Sequence, residues 1–89
     1  MNYNCQEISG RISGYIIENF KVNSTGFDDK TELFHTGIID SLGIPDLIAF
    51  IETTFEIRLA DRYFFDKRFS NINGLVSIIE EILRQEAGS

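Results

Sequence analysis

A serine at position 41 stands in the run Gly37-Ile38-Ile39-Asp40-Ser41-Leu42-Gly43, where a turn-rich stretch gives way to an apolar periodicity of helical spacing. A hydroxyl has chemical use in such a place. Unpaired backbone N–H groups and the positive end of a helix dipole favour negative charge, so a phosphodiester on the Ser41 oxygen would sit in a stabilising field. Asp40 beside it can cap the helix or help hold a metal ion while another enzyme installs the group. Taken in isolation, an Asp-Ser pair is more simply explained as an N-cap. The dipeptide acquires meaning only from what surrounds it.

Two other chemistries fit the residues less well. Ser41, His35 and Asp40 together suggest a hydrolase, but a triad needs a base facing the serine oxygen and an oxyanion site, and nothing in the sequence points to either. His35 reads as a solvent-exposed loop histidine. Asp28, Asp29 and Glu32 are acidic and close together, yet they lack the alternating ligand positions and central glycine of a calcium-binding loop. They read as turn and solubility residues.

The elements that must position Ser41 follow from hydrophobic spacing. Ile8, Ile12, Tyr15, Ile16 and Phe20 recur at helical intervals and predict a first helix over Glu7 to Phe20. From Lys21 to Asp40 the periodicity fails. Asn23, Ser24, Gly26, Asp28 and Gly37 supply turn chemistry, while Phe27, Leu33, Phe34, Ile38 and Ile39 pin the stretch to a core. A connection of that length is uncommon in a compact domain and suggests a loop with a function. Leu47, Ile48, Ile51 and Phe55 predict a second helix from Ser41 to Phe55, expected to be the most buried of the set. Asp61 can cap a short helical turn through Tyr63, Phe64 and Phe65. Ile72, Leu75, Val76, Ile79, Ile82 and Leu83 form the stripe of a last helix, with Ser70 or Asn71 as cap and Gly88 beyond its end. The fold class is therefore all-α, a small bundle of three main helices plus one short helix, with a long loop between the first and second. Phe50, Phe55, Phe64, Phe65 and Phe69 are assigned to the core, because a small domain needs large side chains to bury enough area.

At 89 residues the chain has room for one domain, spanning positions 1–89, with one modest core. Hydrophobic residues make up 43% and charged residues 25%, which suits a folded domain rather than a disordered tail. The formal net charge of -6 repels phosphate backbones and anionic lipid, so no nucleic acid is expected as a partner and a basic protein surface is. Cys5 is the only cysteine, which excludes an internal disulfide, and it reads as a passive thiol. The first residues lack the basic start and apolar run of a signal peptide, so cytoplasmic residence is expected. No apolar stretch approaches the roughly 20 residues that cross a bilayer, so membrane insertion is not expected.

In this setting the chain resembles the acyl carrier protein family, and the resemblance covers nearly its whole length. Asp40-Ser41-Leu42 stands in the family motif at the second helix. Leu47, Ile51, Glu52, Phe55 and Ile57 follow in the pattern of that helix without a gap. Upstream, Leu33-Phe34 and Gly37-Ile38-Ile39 look like the approach to the serine. Downstream, Phe69-Ser70-Asn71-Ile72 looks like the lead into the last helix. The three-residue motif is weak alone and strong with this loop and this order of helices. The resemblance implies an acyl-carrier-like bundle in which Ser41 carries 4'-phosphopantetheine, transferred from coenzyme A by a separate magnesium-using phosphopantetheinyl transferase. The cofactor thiol, not Cys5, would bear the cargo, and the chain would contribute no catalytic group. Implied partners are that transferase, an acyl- or aminoacyl-loading enzyme, and synthases of fatty acid, polyketide or nonribosomal peptide chemistry. Gly37 to Glu52 also resembles the D-alanyl carriers, so an aminoacyl cargo fits. The expected state is a monomer.

Pro45 departs from the family pattern. Proline inside a helix removes a hydrogen bond and clashes one turn back, so the second helix can instead begin near Ile44, leaving Ser41 in a looser preceding turn. Asp46, Glu52 and Glu56, on the outer side of that helix, are the expected docking residues for basic partner surfaces, with Ala49 and Ile44 as apolar contacts. For Glu56 an ordinary solvated role is an equal alternative. The competing function is an acidic helical protein-interaction adaptor that never takes a prosthetic group.

Overall fold

The computed structural model describes residues 3–20, 27–34 and 36–87. The described residues form three α-helices, α1 (Cys5–Phe20), α2 (Ile44–Phe55) and α3 (Ile72–Ala87), with two short 3₁₀ helices, Asp61–Phe65 and Lys67–Ser70, between α2 and α3. No strand occurs among them. The all-α bundle expected from hydrophobic spacing is what forms, although the single short helix is two 3₁₀ turns.

Each helix starts where a polar group can satisfy its free N–H groups or where proline requires it. In α1 the Asn4 side chain accepts from the Glu7 N–H at 2.7 Å, so the helix opens before Glu7, the residue from which spacing alone placed it. In α3 the Asn71 carboxamide oxygen accepts from the Gly74 N–H at 2.7 Å and fills the expected capping role. Helix α2 starts at Ile44, with Gly43 as N-cap and Pro45 in the first turn. Of the two starts the sequence allows, at Ser41 or near Ile44, the helix takes the second, because proline is tolerated only where its missing N–H would be unbonded anyway. Asp61 is likewise corrected: Ala60 occupies the cap position of the first 3₁₀ turn and Asp61 is its first residue.

The core is made almost wholly of branched aliphatic side chains. Ile8, Ile12 and Ile16 come from α1, Leu47 and Ile51 from α2, and Ile72, Leu75, Ile78 and Ile79 from α3, all essentially inaccessible. Helix α3 buries six residues against three for α2, so the expectation that the second helix is the most buried does not hold. The physical reason is position: α3 packs against both α1 and the second 3₁₀ turn. Gly74 allows that packing, since a Cβ there would overlap the backbone carbonyl of Arg68.

The stretch between α1 and α2 is anchored, as its scattered apolar residues predict. Leu33 and Ile39 are buried, and Phe27, Phe34 and Ile38 pack partly against the core. The Leu33 N–H donates to the Ser70 carbonyl at 2.8 Å, the Ile39 N–H to the Leu33 carbonyl at 2.9 Å, and the Asn73 N–H to the Asp29 carbonyl at 2.8 Å. Gly37 turns the chain with φ +81, a conformation costly for other residues. Asn23, Ser24, Gly26 and His35 lie outside the described residues.

Candidate functional site

Ser41 is presented by a turn locked through its neighbour. The Asp40 Oδ1 atom accepts from the Leu42 N–H at 3.0 Å and the Gly43 N–H at 2.9 Å, and the Asp40 carbonyl accepts from the Gly43 N–H at 3.0 Å. An aspartate bonding to backbone N–H groups two and three residues ahead makes a tight turn without help from the rest of the fold. Ile39, buried immediately before it, and the Gly43 N-cap immediately after it tie both ends to the bundle. Gly43 is itself buried: a Cβ there would meet the Phe20 ring at 2.5 Å and the Ile39 side chain at 3.3 Å. Between these fixed ends Ser41 and Leu42 project outward. Ser41 is exposed, its hydroxyl makes no hydrogen bond to the described residues, and Leu42 is 83% exposed.

The geometry separates the roles assigned to the Asp-Ser pair. Asp40 is the turn former, so its carboxylate is already engaged by backbone donors. Ser41 lies two residues before the N-cap, outside the first turn of α2, so the field of the helix N-terminus reaches its oxygen only weakly. No base is brought to the serine by the described residues, and His35 lies outside them. Nor do any three His, Cys, Asp or Glu side chains among the described residues gather as a metal site. Asp28 instead accepts from the Lys30 N–H and the Thr31 hydroxyl, which hold its carboxyl below the usual range.

The three carboxylates expected to form a docking face divide. Asp46 is exposed in the first turn of α2, near enough to Tyr15 that its charge adds to burial in pushing the Tyr15 phenol upward. The Tyr15 ring stacks on Phe50 at 4.1 Å and fixes this end of α2 on α1. Glu52 is half-buried, and its Oε2 accepts from the Leu59 N–H at 2.9 Å. It therefore holds the chain leaving α2. Glu56 is exposed at the C-cap, with φ 55 and its N–H bonded to the Glu52 carbonyl. Six residues advance a helix by roughly 240° about its axis, so Asp46 and Glu52 stand about 120° apart around α2. Even so, residues 40–56 contain four carboxylates and no lysine or arginine. No protein-family model matches the chain, and a search of curated proteins finds no match.

The site is a projecting turn, not a pocket. A cleft of about 350 Å³ opens elsewhere, between the start of α1, Asp29 and α3, lined by Cys5, Ser9, Ser13 and Asn73 among others, and none of the Ser41 turn takes part in it. Sequence reasoning also missed a polar cluster tying the 3₁₀ turns to α3. Arg68 bonds Asp66 at 2.9 Å and Glu81 at 3.3 Å, and the Tyr63 hydroxyl donates to Glu81 at 2.9 Å. The Arg68 guanidinium holds the Asp66 carboxyl below its ordinary value, while Tyr63 first and Arg68 second do so for Glu81. Their wide separation in sequence leaves no local signal. No helix among the described residues is long and apolar enough to cross a membrane.

Proposed function

We propose that this chain is an acyl carrier domain, bearing acyl or aminoacyl intermediates as thioesters on a 4'-phosphopantetheine arm attached to Ser41. The observation that carries the reading is the presentation of Ser41: an exposed hydroxyl bonded to none of the described residues, on an outward turn anchored at both ends, at the entry of the second helix. The Asp40-Ser41-Leu42 motif and the long anchored loop before it support the same reading. The residues present fit the group. Ser41 is exposed and its hydroxyl is bonded to none of the described residues, so a phosphodiester there faces solvent, and a flexible arm on a projecting turn can reach several active sites without rearrangement of the bundle. The arm supplies the thiol. The chain's own residues shape the turn, hold it away from the core and offer a surface for recognition.

Asp40 keeps Ser41 turned outward for the phosphopantetheinyl transferase. Leu42, exposed beside it, gives an apolar contact, and Asp46 one of charge, with Ala49 exposed and Ile44 half-buried close by in sequence. Complementary charge chiefly raises encounter rate and rejects wrong partners, which suits a protein that must release each enzyme it visits. The test is incubation with a broad-specificity phosphopantetheinyl transferase and coenzyme A, followed by intact mass. A gain of one phosphopantetheine, absent in Ser41→Ala, is the expected result. No gain in the native chain favours the adaptor reading, and a gain that persists in Ser41→Ala overturns the site.

A further inference from the structure

Phe65 was assigned to the core from its sequence context, and the structure places it 88% exposed. The reason is geometric. Tyr63, Phe64 and Phe65 are consecutive in a 3₁₀ helix, which has about three residues per turn, so three neighbouring side chains point in three directions. Tyr63 is buried, Phe64 packs edge-on against Phe69 at 5.6 Å, and Phe65 faces out. A polar residue would serve the fold equally well at that position.

The charge around Phe65 is opposite in sign to the rest of the molecule. Four of the chain's eight cationic residues, Arg58, Arg62, Lys67 and Arg68, fall within eleven positions against two carboxylates, Asp61 and Asp66, while the chain as a whole carries -6. Side chains three apart in a 3₁₀ helix eclipse, so Arg62 and Phe65 share one face of the turn. Arg62 lies over the Tyr63 ring with its guanidinium carbon 4.9 Å from the centroid and donates to the Tyr63 hydroxyl. This contact holds the Arg62 guanidinium against the Tyr63 ring and hydroxyl, so Arg62 shares the face of Phe65 by its place on the turn alone. Arg58 and Lys67, on either side in sequence, are exposed, and neither they nor Arg62 forms an ion pair among the described residues. Arg68 is occupied by Asp66 and Glu81.

From this arrangement we infer a second recognition surface, comprising Arg58, Arg62, Phe65 and Lys67, that docks an acidic protein segment with an apolar centre. The aromatic ring is the anchor, and the three cations supply complementary charge. A protein partner is favoured over anionic lipid or nucleic acid, because the chain as a whole carries -6 and its field repels an extended negative surface, whereas a local acidic segment engages the cations alone. The inference stands independently of any group on Ser41.

The test is titration of the isotope-labelled full chain, followed by amide shifts, with a capped peptide of four glutamates flanking a leucine-phenylalanine pair. Shifts confined to residues 58–67 are expected. Affinity should fall about tenfold in Phe65→Ala and in the double variant Arg58→Ala with Lys67→Ala, with helicity unchanged, since all three side chains are exposed. Binding should weaken as salt rises from about 0.1 M to about 1 M, where the screening length drops from about 10 Å to about 3 Å. The inference is overturned by an absence of shifts, by equal shifts with the peptide carrying lysines for glutamates, or by an affinity unchanged in Phe65→Ala. Movement of the same amides on raising protein concentration alone would assign the face to a second copy, and binding to phosphatidylglycerol vesicles without peptide binding would assign it to lipid. Either result also overturns it.

Discussion

Replacing Asp40 by alanine removes the single carboxylate oxygen that the Leu42 and Gly43 N–H groups share at 3.0 and 2.9 Å. The two donors then fare differently. The Gly43 N–H keeps the Asp40 carbonyl at 3.0 Å, whereas the Leu42 N–H is left to water. A net hydrogen bond contributes about 0.5–1.5 kcal/mol, and loss of a capping side chain costs typically about 1 kcal/mol. Solvent repairs part of the loss at this exposed turn, so about 0.5–1 kcal/mol is expected, which corresponds to a Tm decrease of a few degrees for a domain of this size. Asparagine retains an acceptor oxygen at the same place, so Asp40→Asn should recover most of the difference. The assay is thermal unfolding of the three proteins by circular dichroism, together with the rate of phosphopantetheine transfer to each. If Asp40 acts by shaping the turn, stability and transfer rate fall together in Asp40→Ala and recover together in Asp40→Asn. Alanine with no effect on Tm, or asparagine as damaging as alanine, refutes the reasoning.

Other perturbations have equally definite outcomes. Gly74→Ala places a methyl against the Arg68 backbone carbonyl, which cannot move aside as a side chain would. An overpacking cost of about 1–3 kcal/mol should outweigh the roughly 1 kcal/mol that alanine gains in helix propensity, and denaturant unfolding will show a lower midpoint. Asp66 and Glu81 both have lowered carboxyl pKa values, so their contribution to stability is complete above their unfolded values of 3.8 and 4.5 and is lost as pH falls through the lower folded values. Arg68→Gln should therefore reduce the acid limb of a stability-against-pH curve, leaving the parts due to the Tyr63 hydroxyl on Glu81, the backbone N–H of residue 68 on Asp66, and Asp28; an unchanged limb would show that the Arg68 guanidinium does not set it. Asp46→Lys should slow phosphopantetheine transfer and weaken its salt dependence while helicity is kept. It is a cleaner probe than Glu52→Lys, which would also break the bond to the Leu59 N–H.

What the sequence determined by itself was everything that depends on neighbours a few residues apart. The isoleucine stripes of α1 and α3, the Asn71 cap and the effect of Pro45 on the start of α2 are local, because apolar periodicity and proline stereochemistry act within one or two helical turns. The Asp40-Ser41-Leu42 turn is local for the same reason: its hydrogen bonds span two and three residues. Tertiary structure decided which side chains of a run are used and for what. Nothing near Phe65 distinguishes it from Phe64 and Phe69, and only the direction of a 3₁₀ turn against α3 leaves it outside. Glu52 looks like any carboxylate on an amphipathic helix until the chain returns to offer it the Leu59 N–H. Arg68, Glu81 and Tyr63 meet across 13 and 18 positions. Contacts at that separation depend on how whole elements pack, and no local pattern encodes them.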